Sequence, residues 1–476
     1  MDTIMTKLSL RNKRFELIGF VVSFLLVCYV KFFCHELWKD EWQAWFVARD
    51  KSIWDVFSFL NYEGHPALWY LYLKPFTWIS SFLPINEEYW LHFAHLLPVV
   101  AVLFLFWKVF KLPSILKFGF SLSYFLFFEY GIVNRGYILV ILLLFLAVFY
   151  IERDYVKRLA WTIFLLCQTE VFGVFMALSL GLYLFHTDIN KYKPALKSLV
   201  IGVLVFILSV YPRESGHIAK TQGKILTFSE RVLTSIQGNL TNALLPGTTQ
   251  DTSLFGWSSL GLILSIGLLG GLIWIFRKQK SLMLSMLFLL LMSITFSLFF
   301  FVGGVRQWGM VFIFLLALLG IVNPEFFKQR YTMIFLLLIA GVQTIYGLTA
   351  IYRDINLPFT NAKETGLFIQ EKIPEKVPVV AINKFEITPV IGYAKRKFFE
   401  LPSGEPFSYF KWVEKIYLPT QEELKLFAKF KGVGGLVIIT PKKLEPGRFR
   451  QANLWKEFTN KNIKNENYFL YTLSIK

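Results

Sequence analysis

Long apolar stretches separated by short basic loops run through the first 352 residues of the chain. A helix needs about 20 mostly apolar residues to cross roughly 30 Å of hydrocarbon. The pattern predicts eleven spans, near residues 15–33, 91–110, 114–130, 135–151, 160–169, 171–186, 197–212, 254–276, 281–302, 307–322 and 331–352. We therefore expect a polytopic α-helical membrane protein.

Basic residues concentrate in alternate loops, which predicts the topology. Residues 1–14 carry four Lys or Arg; the loops 108–117, 152–158, 186–197 and 277–280 carry three each, and 323–330 carries two. Cytoplasmic loops are enriched in Lys and Arg, so these segments and the N-terminus are predicted to be cytoplasmic. The scheme requires 160–186 to be a hairpin of two short helices. It also requires 66–83 to lie in the membrane interface.

Two of the three regions then left outside are loops. Residues 34–90 predict two or three short amphipathic helices on the membrane surface. Ser52-x-x-Asp55 is a capping-box pattern within that loop, and Pro66 is suited to a first helical position. Residues 213–253 form a polar loop long enough to act as a lid.

The third outside region, 353–476, changes to a polar composition with short apolar runs at 377–382 and 435–440. A helical pattern covers 420–431. Strand-length apolar runs next to a helix predict a small α/β domain. The predicted division is a membrane domain over 1–352 and an extracytoplasmic α/β domain over 353–476.

Composition supports the membrane assignment and argues against nucleic acid as a partner. The chain is 55% hydrophobic with a mean hydropathy of +0.51, above the range usual for soluble domains. Its net charge of +18 would indicate nucleic acid in a soluble protein, but basic cytoplasmic loops account for it here. We expect membrane lipids and no nucleic acid as partners. The three cysteines form no disulfide or metal pattern.

An acidic pair, Asp40 and Glu41, follows the first predicted span and lies beside Trp42 and Trp45. Neighbouring carboxylates raise each other's pKa, and a base near neutrality is what deprotonation of a hydroxyl requires. The alternative is that Asp40 caps a helix over 41–50, with Gln43 completing the pair.

A second polar cluster contains Tyr62, Glu63 and His65. Glu63 and His65 cannot face each other closely on one strand or helix, so no dyad is expected. Each is a candidate for orienting an acceptor or a phosphate, and a helix N-cap is the alternative for His65.

Two arginines, Arg135 and Arg306, lie at outward span ends, where basic residues are usually avoided. Arg binds phosphate with two parallel hydrogen bonds, which indicates an anionic ligand. The alternative is snorkelling to lipid headgroups. Glu129 is a candidate ion-pair partner for Arg135. Polar residues within spans are functional candidates by default, which adds Gln168 and Glu170 at the hairpin apex.

With these residues assembled, the chain resembles the polytopic glycosyltransferases of the GT-C superfamily. The resemblance is to the family-39-like branch related to protein mannosyltransferases and the aminoarabinose transferase. It rests on four segments, residues 38–45, 62–70, 128–137 and 303–309, within an architecture that extends over 1–352. The chain departs from the family pattern at Gln307 and Trp308, where histidines are expected, and at Asn134, which replaces a small residue.

The resemblance implies inverting transfer of a sugar from a polyprenyl-phosphate donor to an acceptor at the periplasmic face of a bacterial inner membrane. The acceptor is a lipid, a protein or a polysaccharide. A divalent metal is compatible with this chemistry but not required, and no cofactor is firmly implied. The residues so implicated are Asp40 and Glu41 as catalytic groups, Tyr62, Glu63 and His65 for orientation, Arg135, Tyr137 and Arg306 for the lipid phosphate, and Gln168, Glu170 and Gln307 as pocket groups.

Other functions remain open on the sequence. A transporter or flippase for lipid-linked glycans would use intramembrane charges and often shows inverted repeats, which the sequence lacks. A non-catalytic protein of envelope polysaccharide assembly would act through 353–476. The same fold also admits transfer of a whole lipid-linked glycan or a phosphoethanolamine-like transfer.

Overall fold

The computed structural model describes residues 12–211, 227–246, 259–412 and 414–475. Parts of the predicted lid, 213–226 and 247–253, lie outside these residues. The chain divides into two compact units. The first, here called the helical unit, comprises Met1–Lys31, Gly64–Trp69 and Phe93–Tyr352; the second, the mixed unit, comprises Phe32–Glu63, Tyr70–His92 and Arg353–Lys476.

Most of the described residues as far as residue 356 are helical. They are α1 (Lys13–Tyr29), α2 (Lys39–Asp50), α3 (Ile53–Glu63), α4 (Leu68–Phe82), α5 (Glu87–Phe104), α6 (Ser114–Ser121), α7 (Tyr137–Glu152), α8 (Val156–Cys167), α9 (Val171–Val210), α10 (Phe228–Gln237), α11 (Ser259–Phe276), α12 (Lys280–Phe299), α13 (Val305–Ile321) and α14 (Arg330–Asn356). Turns of π-helix, Val30–Cys34, Leu105–Val109 and Gly238–Asn242, continue α1, α5 and α10. A further π-helical turn is Tyr124–Glu129, and a 3₁₀ turn is Pro324–Lys328.

The predicted spans coincide with these helical segments. Among the described residues, six helical segments are long and apolar enough to cross a membrane: Lys13–Cys34, Glu87–Val109, Val171–Val210, Ser259–Phe276, Lys280–Phe299 and Arg330–Asn356. The backbone of α9 leaves the helical conformation at Asp188, where φ is −164° and ψ is 95°. This break falls in the predicted loop 186–197. The chain is an integral membrane protein, and the total of eleven spans stays a prediction.

The helical unit is built around α7 and α13, which are apolar but shorter than the six long segments. Both bury most of their side chains, as expected for helices that are hydrophobic on all sides. Peripheral helices instead expose large apolar side chains, such as Ile18 on α1 at 60% and Leu208 on α9 at 79%. Exposed apolar surface on this scale suits a lipid environment rather than water.

The mixed unit contains a six-stranded sheet in the order β3-β2-β1-β4-β6-β5. Its strands are β1 (Val379–Ala381), β2 (Phe398–Phe399), β3 (Pro406–Phe407), β4 (Gly435–Thr440), β5 (Ala452–Phe458) and β6 (Tyr468–Ser474). Strand β1 runs parallel to β2 and β4, with Val380 opposite Phe399 and Ile438. The other neighbouring pairs are antiparallel.

Three helices accompany the sheet, α15 (Ala362–Lys372), α16 (Lys384–Ala394) and α17 (Gln421–Phe430). Leu424 and Phe427 of α17 join Val380 and Ile438 of the sheet in one buried core. The predicted small α/β domain is confirmed, since β1, β4 and α17 occupy the predicted segments.

The first loop region forms three short helices, α2, α3 and α4. Ser52 and Asp55 make the predicted capping box, in which the Ser52 hydroxyl accepts from Asp55 N at 3.1 Å and donates to its carboxylate at 2.7 Å. The structure groups most of this region with 353–476 in the mixed unit, whereas the sequence placed it in the membrane domain.

Candidate active site

In the helical unit, the candidate residues gather where α7 and α13 begin. The Gln307 side-chain nitrogen donates to the Tyr137 hydroxyl at 3.0 Å, although the two residues are 170 positions apart. The Gln307 oxygen accepts from the backbone N–H of Gly304 at 2.9 Å, which fixes the start of α13. Tyr137 is therefore held at the junction of the two most buried helices of the unit.

Both arginines lie at this junction. The Arg135 guanidinium stands 5.7 Å from the centre of the Tyr137 ring. Arg306 is mostly buried, with its Nε 3.6 Å from a carboxylate oxygen of Glu129. Arg306 directly precedes Gln307, which contacts the Tyr137 hydroxyl, and Glu170 is the N-cap residue of α9. The structure thus brings together the predicted phosphate-binding residues, and Glu129 forms an ion pair with Arg306.

Tyrosines support this arrangement from the turn of π-helix that precedes it. The Tyr124 hydroxyl donates to Glu129 at 3.2 Å. The Tyr130 hydroxyl donates to the backbone carbonyl of Arg306. These contacts fix both the carboxylate that pairs with Arg306 and the backbone from which the arginine extends.

Sequence reasoning missed Lys31, which is completely buried in the helical unit. Its ammonium group donates to the carbonyl of Ile132 at 2.6 Å and to the Asn134 side-chain oxygen at 2.8 Å. Both acceptors belong to the turn that carries Arg135. The signal was present, because a lysine inside the first predicted span is a functional candidate by default.

The chemistry of this cluster favours an anionic ligand. The N-terminal end of a helix carries a partial positive charge of about half an elementary charge and free backbone N–H groups. Two such ends meet here, and each carries an arginine. A guanidinium fork donates parallel hydrogen bonds to phosphate oxygens. The cluster is thus suited to hold a phosphate group.

In the mixed unit, Glu41 is completely buried and belongs to a chain of three ionisable groups. His35 Nδ1 lies 2.9 Å from a carboxylate oxygen of Asp354, and its Nε2 lies 3.3 Å from Glu41. Burial lowers the pKa of His35, but the carboxylates of Asp354 and Glu41 outweigh it and raise that pKa from 6.5 to about 9. The imidazolium then balances the two buried carboxylates.

The start of α2 corrects the capping alternative for Asp40. Helix α2 begins at Lys39, and the second carboxylate oxygen of Glu41 accepts from the backbone N–H of Trp38 at 3.0 Å. Glu41 therefore caps the helix. Asp40 lies in the first helical turn, half-buried, with its Oδ1 atom shielded from solvent.

Glu63 is held by two side chains of the mixed unit. The Gln43 amide donates to one carboxylate oxygen at 3.0 Å, and the Tyr70 hydroxyl donates to the other at 3.1 Å. Gln43 also exchanges hydrogen bonds with the backbone of Phe410, at 2.8 and 3.1 Å. Glu63 is thereby linked to the segment that follows β3.

The remaining predicted residues have separate surroundings. His65 is half-buried in the helical unit. The helix after it begins at Leu68, so the N-cap alternative for His65 is wrong, and Pro66 precedes the helix. The side chain of Tyr62 lies outside the described part of the structure. Gln168 donates to the carbonyl of Gly202 at 2.9 Å, which joins the α8 end to α9.

No group of three His, Cys, Asp or Glu side chains in the described segments has a geometry suited to a metal ion. The short pairs above, such as His35 with Glu41, are accounted for by their mutual hydrogen bonds.

No protein-family model and no curated protein sequence matches this chain. A solved structure does match: the crystal structure of ArnT from Cupriavidus metallidurans bound to undecaprenyl phosphate, with a TM-score of 0.51. The match covers 96% of this chain and 97% of that chain at 10% sequence identity. The chain has the GT-C fold of ArnT.

The GT-C fold confirms at the level of architecture what the four sequence segments predicted. An identity of 10% leaves the roles of individual residues to be argued from the geometry of this chain.

Proposed function

We propose that this chain is an inverting glycosyltransferase that moves a sugar from a polyprenyl-phosphate donor to an acceptor hydroxyl. The reaction takes place on the extracytoplasmic face of a bacterial inner membrane. The observation that carries the proposal is the pair of arginines at the starts of α7 and α13, joined through Tyr137 and Gln307. ArnT, which has the same fold, was crystallised with undecaprenyl phosphate.

The helical unit would bind the lipid phosphate. Arg135 and Arg306 donate to its oxygens, and the two helix starts add their partial positive charges. The same groups stabilise the negative charge that grows on the phosphate as the sugar leaves. The exposed apolar side chains of the peripheral helices suit the isoprenoid chain.

The mixed unit would supply the base. Asp40 takes the proton of the acceptor hydroxyl, the oxygen forms a bond to the anomeric carbon, and the bond from that carbon to the phosphate oxygen breaks. Attack opposite the leaving phosphate inverts the configuration. Glu41 and His35 hold the start of α2 and so position Asp40. Glu63, His65 and Tyr62 are assigned to orienting the acceptor.

Binding of undecaprenyl phosphate to the purified full chain in detergent tests the phosphate assignment. Replacing Arg306 by alanine is expected to weaken binding about tenfold or more, since hydrogen bonds to charged groups contribute about 1.5–3 kcal/mol. Arg306→Lys keeps the charge beside Glu129 but loses the fork, and an intermediate affinity is expected.

Arg277→Ala is the matched control. Arg277 is exposed at the end of α11, where it stacks on Trp274 and donates to its carbonyl. Its loss is expected to leave the affinity unchanged. Equal affinities of wild type and Arg306→Ala, with similar thermal midpoints, would refute the phosphate site.

A further inference from the structure

A large cleft lies within the mixed unit, and the residues that line it do not include Asp40, Glu41 or Glu63. Its volume is about 1200 Å³. One wall is the end of α2 and the segment 80–89; the other is formed by α15, α16 and residues 395–414. A second cavity of about 430 Å³ shares Lys384, Glu400 and Glu414 with it.

The acidic side chains of the cleft are all engaged by neighbouring cations. Arg49 pairs with Asp50 at 2.7 Å and with Glu87 at 2.9 Å. Lys363 pairs with Glu88 at 3.0 Å. Lys384 pairs with both Glu400 and Glu414 at 2.6 Å. Three basic side chains thus form ion pairs with all five carboxylates that line the cleft. Because these carboxylates are already paired, they do not favour a cationic ligand.

The basic residues exceed the acidic ones. Seven line the cleft against five, namely Arg49, Lys363, Lys384, Lys395, Arg396, Lys397 and Lys411. Arg396 donates to backbone carbonyls, including those of Ile373 and Val377. Lys395 donates to the neutral amide oxygen of Asn86 at 2.6 Å, and Lys397 is exposed. The cleft therefore has an excess of positive charge that favours an anion.

Aromatic side chains also line the cleft, among the charged residues. Tyr89 is 42% exposed, and Phe407 and Tyr409 are half-buried at the cleft wall. An aromatic ring offers an apolar face, and tyrosine adds a hydroxyl, which matches a sugar ring with its C–H face and hydroxyl rim. Typical small-molecule pockets measure about 300–1,000 Å³. A cleft at or above that range suits several linked sugars.

We propose that this cleft binds an acidic oligosaccharide, which is the acceptor of the transfer. The inference rests on the proposed function. Helix α2 connects the two sites, because Asp40 lies near its start and Arg49 lines the cleft near its end. Nine residues at about 1.5 Å per residue separate them by roughly 14 Å. Side chains 41–48 of α2 are buried, so the helix acts as a rigid spacer between the base and the cleft, and the distance between them is within the length of an oligosaccharide of several sugars.

Equilibrium binding of tetragalacturonate to the full chain in detergent tests the proposal without any donor or turnover. Maltotetraose, a neutral chain of the same length, and tetraglutamate, an acidic peptide, are the comparison ligands. We expect tetragalacturonate to bind about tenfold more tightly than either, with an affinity that falls between about 50 and 300 mM salt as charge screening increases.

The double variant Lys395→Glu/Lys397→Glu is expected to weaken tetragalacturonate binding about tenfold or more, because it reverses the excess charge. Lys429→Glu/Lys461→Glu makes the same change at two exposed lysines that do not line the cleft and should bind like wild type. Undecaprenyl phosphate affinity serves as a fold and donor-site check for both variants. If Lys395→Glu/Lys397→Glu binds undecaprenyl phosphate like wild type but binds tetragalacturonate more weakly, the result supports the acceptor cleft independently of the donor site.

Three results would overturn the inference. The first is no binding of tetragalacturonate, or binding equal to that of maltotetraose. The second is equal loss in both double variants, which places the effect in overall charge. The third is tighter binding of tetraglutamate, which identifies the cleft as a peptide site. Each is separable from failure of the proposed reaction, since none depends on sugar transfer.

Discussion

His35 links two buried carboxylates from distant parts of the chain, one on α2 and one at the end of α14. Asp354 lies 319 residues from His35, yet both side chains are completely buried and 2.9 Å apart. A buried ion is costly unless its partners compensate it, and here the imidazolium has a carboxylate on each side. The cluster fixes the start of α2 and hence the position of Asp40.

This arrangement predicts how stability depends on pH. Because the folded pKa of His35 is about 9 and the ordinary value is 6.5, its contribution is complete below pH 6.5 and is lost as pH rises through 9. The pKa difference corresponds to about 3 kcal/mol. The thermal midpoint of wild type should therefore decrease as the pH is raised from 6.5 to 9.5.

His35→Gln keeps a polar side chain but cannot titrate. Its midpoint is expected to be lower at pH 6.5 and to change much less up to pH 9.5. If the thermal midpoints of the variant and of wild type changed with pH in parallel, His35 would not carry the charge assigned to it.

At the scale of elements, α2 and α16 pack so closely that only glycine fits at residue 392. A Cβ atom built there would lie 2.3 Å from the Trp42 ring, which is buried. Trp42 is two residues from Asp40 on the same helix. The packing of α16 therefore helps to set the orientation of the helix that carries the proposed base.

Gly392→Ala is expected to destabilise the protein by about 1–3 kcal/mol, the usual cost of forcing an extra methyl group into a packed contact. Gly267→Ala is the matched control, since no atom of the described residues lies within 4 Å of the Cβ position at Gly267. Alanine at an open helical position normally stabilises by up to about 1 kcal/mol. Thermal midpoints of the two variants should move in opposite directions; a shift of the same sign and size would contradict the packing argument.

The helices were predictable because membrane spans and capping boxes are local patterns. Another local pattern is the capping box of α10, in which Thr227 and Glu230 each accept a hydrogen bond from the backbone of the other. It lies inside the predicted lid, where no helix was predicted. Strands β2 and β3 have two residues each, too few to leave a pattern. The arginines and the acidic residues of the candidate site were each predicted from the sequence individually. Their contacts across 170 or 319 positions have no local signal.

At the scale of the whole molecule, the asymmetry of basic loops predicts a cytoplasmic N-terminus and an external 353–476. Single cysteines at Lys193, beside the break in α9, and at Lys429, on α17, test this in intact cells after Cys28, Cys34 and Cys167 are replaced by alanine. A membrane-impermeant maleimide should label Lys429→Cys and spare Lys193→Cys until the cells are permeabilised. The reverse pattern would invert the topology and place the proposed reaction on the cytoplasmic side.

The GT-C fold supplies a framework but not the chemistry, since one fold hosts many reactions. The proposal of sugar transfer rests on the different side chains that each unit contains. The helical unit gathers cations at two helix starts, and the mixed unit holds an acidic residue on a firmly anchored helix. The donor phosphate and the acceptor proton are thus assigned to different groups.

The most direct test of the account is sugar transfer or donor hydrolysis by the purified protein, with a panel of undecaprenyl-phosphate monosaccharides. Wild type is compared with Asp40→Asn and with Asp55→Asn, the same change at an exposed capping residue of α3. We expect turnover by wild type and Asp55→Asn and a loss of about 10²–10⁴-fold in Asp40→Asn, the usual contribution of general-base catalysis. Near-full turnover by a folded Asp40→Asn protein would contradict the assignment of the base, and no turnover by wild type with any donor would contradict the proposed reaction.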